Sequence, residues 1–156
     1  MNVEDIKDKI LYRIEKYTAW QNVDLYENID NEIQEKKNKY KSILLTDSNI
    51  INSPIQLNLE VELPIMELYF DNQHFVLFTT LQIYSNMHSN LSKAKYVDVI
   101  EINQNSLDNF VQKRRMMKKF VDLKMDMLDK SLFEFTIEVG IPFSAFMQIY
   151  VILKTT

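Results

Sequence analysis

Cysteine is absent from this 156-residue chain, which excludes disulfides, a thiolate zinc site and a cysteine nucleophile. Such a composition suits a reducing compartment. Glycine is nearly absent as well, Gly140 being the only one. A glycine-rich phosphate loop of either common kind is therefore excluded, as is the Gly-x-Ser-x-Gly elbow that exposes a nucleophilic serine. Turns must fall to Asn, Asp and Ser, which are plentiful. Histidine is down to His74 and His88, without the spacing or the acidic neighbours of a metal pair. No apolar run reaches the roughly 18 residues a membrane span needs. The start MNVEDIKDKI carries acids and no long apolar run, so it does not read as a secretory signal. A net charge of −4 lacks the surplus of Lys and Arg that general nucleic-acid binding requires.

What is present is ordinary globular composition, 46% apolar and 26% charged, with nine Phe and eight Tyr to build a core. The length suits one domain over 1–156 with a real core. Cytoplasmic localisation and a single domain are the expectation, with an N-terminal helical segment 1–45 and a sheet-based core 55–154.

Residues 3–19 read as a helix: Ile6, Ile10, Ile14 and Tyr17 share one face, Asn2 caps it, and Glu4 and Asp5 suit its positive end. Residues 23–41 read as a second helix on Leu25, Ile29 and Ile33, with Glu32–Lys36 and Glu35–Lys39 as i,i+4 pairs. The turn-rich TDSNIINSP, 46–54, is the internal boundary. Beyond it Ile55, Leu57, Leu59, Val61 and Leu63 alternate with Gln56, Asn58, Glu60 and Glu62, the pattern of a half-buried strand that Pro64 interrupts or ends. Residues 65–70 read as the next strand, and DNQ as a turn.

The segment HFVLFTTLQIYS, 74–85, carries apolar or hydroxyl side chains on both faces. A strand of that kind needs cover on both, so it is central in a sheet or inside a closed barrel. SNMHSNLSK reads as a polar loop and YVDVIEI, 96–102, as a returning strand. Residues 106–130 fit one long helix capped by Ser106, or a helix to about 117 followed by a hairpin, and the second satisfies more of the pattern. The end, GIPFSAFMQIYVILK, leans to a helix with Pro142 in its first turn, although Ile149, Val151 and Ile152 suit a strand.

FVLFTTLQIYSN, KYVDVIEI and LFEFTIEVGIPFSAFMQIYVIL together resemble bacterial pleckstrin-homology-like domains over residues 55–154. Leu77, Thr79, Thr80, Ile83 and Ser85 stand in the first element, Val97, Ile100 and Ile102 in the second, and Gly140, Pro142, Phe143 and Phe146 in the last. Gln82 departs from the pattern, which usually has a basic residue there. The resemblance implies a barrel plugged by the last helix. Some small proteins of this look are similar to immunity proteins that block a toxin by binding it. The fold expected is α+β: a curved, mostly antiparallel sheet or such a barrel, closed by a C-terminal helix, with two N-terminal helices.

Two charged clusters are the candidate binding residues. KRRMMKK holds Lys113, Arg114, Arg115, Lys118 and Lys119, a candidate anion or lipid head-group site. The plainer reading is a solvated helix face balanced by Asp108, Asp122 and Asp126. The acidic set Asp24, Glu27, Asp30, Glu32 and Glu35 offers a charged face to a basic partner, or merely keeps a helix soluble. Glu60, Glu62 and Glu67 read as solvent-facing rather than as paired catalytic carboxylates. Trp20 reads as a seal between helix and sheet. The methionines between 116 and 127 fill core or line a groove for a partner.

No metal, cofactor or catalytic set is implied. The leading expectation is a non-enzymatic binding module of the immunity or inhibitor type that occludes a partner protein such as a toxin. An anion or lipid head-group binder working through 113–119, and an enzyme with a hidden site, are the alternatives.

Overall fold

A computed structural model describes residues 2–20, 40–87 and 90–154. The first helix, α1 (Val3–Thr18), is capped as its sequence suggests: the Asn2 side chain accepts the Asp5 N–H at 2.8 Å. Ile10 and Ile14 are fully buried, whereas Tyr17 lies exposed under the Arg13 guanidinium. Ala19, in the left-handed region at φ 52°, ends the helix, and Trp20 is buried edge-on to Tyr40 at 6.1 Å. Of the second helix expected over 23–41, residues 23–39 lie outside the described residues, and Tyr40 and Lys41 are not helical.

Five antiparallel strands follow in one sheet, in the order β1 (Ile43–Leu44), β2 (Pro64–Asp71), β3 (His74–Thr79), β4 (Gln82–Met87) and β5 (Asn90–Lys95). After a short 3-10 turn, Tyr96–Asp98, comes β6 (Val99–Ile102), then α2 (Gln104–Arg115), β7 (Phe120–Met127), β8 (Leu132–Glu138) and α3 (Ile141–Lys154). The last three strands form a second antiparallel sheet, ordered β6-β7-β8. The architecture is α+β with two sheets, and the strands do not close into a barrel.

β3 is the central strand that its two apolar rows demand: Phe75, Val76, Leu77 and Phe78 are all at 0% exposure. Phe78 meets Phe135 of β8 at 5.9 Å and Phe146 of α3 at 5.6 Å. The opposite row, Phe75 and Leu77, shares its face with Glu67 and Tyr84. That face is covered by the irregular chain before β2, which is pinned there by the carboxylates described below.

Several expectations need correction. Residues 55–63 form no strand. The Val61 and Glu62 N–H groups both turn back to the Asn58 carbonyl at 3.0 Å, and Leu59 and Val61 stand exposed while Glu62 is buried. Pro64 consequently opens β2 instead of ending a strand. Residues 74–85 are two strands, because Thr80 and Leu81 turn the chain: the Thr79 hydroxyl accepts the Leu81 and Gln82 N–H groups, each at 3.1 Å. A threonine thus supplies the turn chemistry usually signalled by glycine or asparagine.

The stretch 85–93 belongs largely to β4 and β5, and residues 96–98 make a turn, so that β6 leaves for the other sheet. Within 106–130 the helix-plus-hairpin reading holds. Asn103, not Ser106, caps α2, because the Ser106 hydroxyl is spent on the Lys124 N–H at 2.9 Å. α3 is a helix with Pro142 in its first turn.

Candidate functional site

Three buried carboxylates were the least legible feature of the chain. Glu62, Glu67 and Glu138 are at 5%, 1% and 4% exposure. Glu67 accepts the Asn52 N–H at 2.8 Å, the Ser53 N–H at 3.0 Å and the Ser53 hydroxyl at 2.5 Å. Glu138 accepts the Lys41 and Ser42 N–H groups at 2.9 and 2.7 Å. Glu62 accepts the Thr79 hydroxyl at 2.6 Å and the Tyr84 hydroxyl at 3.0 Å, with the Gln82 amide 3.2 Å away. Buried charge survives only when it is hydrogen-bonded in this way. All three fasten irregular chain onto sheet, so they do structural work. Glu60 alone of the expected solvent-facing set is exposed.

Burial and the neighbouring carboxylate show in the tyrosines. Burial first, then the hydrogen bond to Glu62, pushes the Tyr84 hydroxyl up to about 12. Tyr96, whose hydroxyl has no partner among the described residues, is pushed well above its ordinary value by burial and by the charge of Glu62. Burial pulls the Lys7 ammonium down to about 8, against the charge of Asp8. Lys7 donates to the Asn49 side chain at 2.8 Å beside a small polar recess.

The basic cluster falls at the junction of α2 and β7. Lys113, Arg114 and Arg115 occupy the last turn of the helix, where its dipole favours positive charge. Lys118 and Lys119 lie beyond it, and all five are exposed. The acids expected to balance them accept hydrogen bonds from neutral side chains. Asp108 accepts the Gln104 amide, Asp122 the Thr136 hydroxyl and Asp126 the Asn103 amide. The five bases make no ion pair with an acid among the described residues.

Between the bases, Met116 and Met117 are exposed at 67% and 89%. Met117 takes φ 60° while the Lys118 N–H returns to the Lys113 carbonyl and the Met117 N–H to Arg114. This closure of a helix end normally uses glycine at that position; a side chain there costs roughly 1 kcal/mol. The turn therefore pushes an apolar side chain into solvent at some energetic cost. Met125 and Met127, by contrast, are buried, so the methionines divide between core and surface.

A cleft of about 600 Å³ opens between β5 and the tip of the β7–β8 hairpin, lined by Ser92, Lys93, Ala94, Lys95, Leu128 and Leu132 among others. Sequence reasoning missed it because β5 reads as loop. The acidic set Asp24, Glu27, Asp30, Glu32 and Glu35 lies outside the described residues, as does His88. His74 sits at the β2–β3 turn with Nδ1 2.8 Å from the Asp71 carboxylate. That carboxylate is held below its usual range by the Gln73 N–H and then by His74. No group of three or more potential ligands among the described residues is placed to hold a metal, and no described helix is long and apolar enough to cross a membrane.

The class defined here is an α+β domain of two antiparallel sheets with an exposed basic turn and an open cleft. Comparison with protein families, curated proteins and solved structures gives no match.

Proposed function

We propose that the chain is a non-enzymatic binding module of the inhibitor or immunity type, which occludes a partner protein by docking an acidic surface of it on the turn 113–119. One observation carries this reading: five exposed bases, with no ion-pair partner among the described residues, surround two exposed methionines. An apolar centre within a polar rim is the anatomy of a protein interface, where Met and Arg are enriched. Positive charge around it would speed encounter and select the partner. The three buried glutamates support the same reading, because each is committed to holding chain in place.

The same two methionines beside long basic side chains favour a second reading, an anionic lipid surface, into which apolar tips enter while Lys and Arg reach the head groups. One experiment separates the two. A photoreactive residue at position 117 should trap a single partner one-to-one in the native host. Reversing Lys113, Arg114 and Arg115 to Glu should slow that association about tenfold or more at low salt. Failure to trap a protein, together with salt-sensitive sedimentation on phosphatidylglycerol vesicles, would transfer the site to the second reading. Indifference of both assays to the charge reversal would remove both.

A further inference from the structure

Strand β5 is an edge. Among the described residues it pairs with β4 alone, from Gln82↔Lys95 to Met87↔Asn90. The Tyr96 N–H bonds the Leu81 carbonyl at 3.3 Å, and this fixes the phase of the ladder. In an antiparallel pair the residues that exchange hydrogen bonds alternate along the strand. Asn90, Ser92 and Ala94 therefore turn their backbone groups to β4, and Leu91, Lys93 and Lys95 turn theirs outward. No backbone group among the described residues takes that outward row.

The side chains alternate in the same step. Ala94 stands opposite Ile83 and Ser92 opposite Ser85, on the face toward the second sheet. Leu91, Lys93 and Lys95 stand on the other face and are exposed. The cleft of about 600 Å³ opens beside the two small residues, and its far wall is Met127, Leu128, Leu132 and Phe133. A smaller recess of about 230 Å³ continues it past Ser92 to Phe135. Leu128 and Leu132 are largely exposed, so apolar wall faces empty volume along a free strand edge.

We infer that β5 is a strand-addition site for an extended peptide in which apolar and acidic residues alternate. The peptide backbone pairs with the outward row of Leu91, Lys93 and Lys95, which supplies affinity without regard to sequence. Its apolar side chains fall beside Ser92 and Ala94, where there is room, against Leu128 and Leu132. Its acidic side chains, one residue out of step, lie beside the Lys93 and Lys95 ammonium groups. Asp98 and Asp129 also line the cleft, and the Asp129 carboxylate accepts the Ser131 N–H and hydroxyl. This site is separate from the turn 113–119 and does not depend on its role.

The test uses the full chain and the capped peptide EVEVEVE, with KVKVKVK and a block-ordered EEEEVVV as controls. EVEVEVE should bind saturably, and at least about tenfold more tightly than either control. Hydrogen exchange should slow about tenfold or more at the Leu91, Lys93 and Lys95 amides and stay unchanged at Ser92 and Ala94. Lys93→Pro removes one outward N–H and leaves the β4 ladder intact; Leu132→Asp alters an exposed wall. Each should keep the urea midpoint and lose binding about tenfold. The inference is overturned by absence of saturable binding or by equal binding of KVKVKVK. Protection confined to 113–119, or concentration-dependent self-association that protects the β5 amides without peptide, also overturns it.

Discussion

The Tyr40 hydroxyl lies where a side chain on Gly140 would begin: a Cβ built on Gly140 falls 2.6 Å from that oxygen. The same hydroxyl accepts the Ile141 N–H at 3.3 Å, at the start of α3. Gly140 also takes φ 104°, a conformation that side chains avoid. The only glycine in the chain is thus required twice, by its own backbone and by a neighbour far away in sequence.

Gly140→Ala should therefore destabilise the fold by about 2–3 kcal/mol in urea unfolding. In the background Tyr40→Ala the same substitution should cost less, about 1–2 kcal/mol, because only the backbone strain remains. Equal costs in the two backgrounds would show that the ring is not the obstacle.

Alkaline pH should first strengthen the protein and then weaken it. Lys7 has a folded value of about 8 against 10.5 for the free group. Between those limits the unfolded chain holds the extra proton, so stability rises with pH, by about 2 kcal/mol from pH 8 to 10. Tyr84 and Tyr96 act with the opposite sign. Their folded values lie above the ordinary 10, so the stability they preserve is present below pH 10 and is lost above it. The check is urea unfolding of the natural chain against Lys7→Met at pH 7, 8, 9, 10 and 11. The natural chain should gain stability relative to the variant through the first window, and both should fall beyond pH 10.

Glu60 and Glu67 look alike in sequence, each an acid beside apolar strand-forming residues, and should behave quite differently. Glu67→Ala leaves the Asn52 and Ser53 N–H groups without their acceptor and should cost about 3 kcal/mol or more. It should also expose the 50–54 segment to proteolysis. Glu60→Ala, at the surface, should stay within about 0.5 kcal/mol. Parallel unfolding curves and limited digestion decide it.

Periodicity delivered those elements whose burial follows polarity. Ile10 and Ile14 of α1, the alternating Val121, Leu123, Met125 and Met127 of β7, and Phe133, Phe135 and Ile137 of β8 are all buried, as their spacing predicts. The doubly apolar row of β3 correctly demanded cover on both faces. Reading failed where a polar side chain goes inside. The alternation of 55–63 reads as strand only if Glu62 faces water. Its burial follows from donors on Thr79, Gln82 and Tyr84, about twenty positions later in the chain. No local window contains that information.

The binding surfaces were legible in the same uneven way. Charge density marked out 113–119, but not that Asp108, Asp122 and Asp126 are engaged elsewhere or that Met117 is thrust outward. The edge and cleft at β5 were hidden because Asn90, Ser92 and Lys93 have the composition of a loop. Only their pairing with β4 turns the small-and-long alternation of Ser92, Lys93, Ala94 and Lys95 into a pattern with meaning.

The outward placement of Met116 and Met117 has a chemical consequence. An oxidant diffusing in water meets these two thioethers long before those of Met66 and Met125, both at 0% exposure. Conversion to sulfoxide would turn the apolar centre of the basic turn polar while leaving the interior packing untouched. Peroxide exposure thus offers a way to disable that surface in an otherwise intact molecule, and methionine sulfoxide reductase a way to restore it.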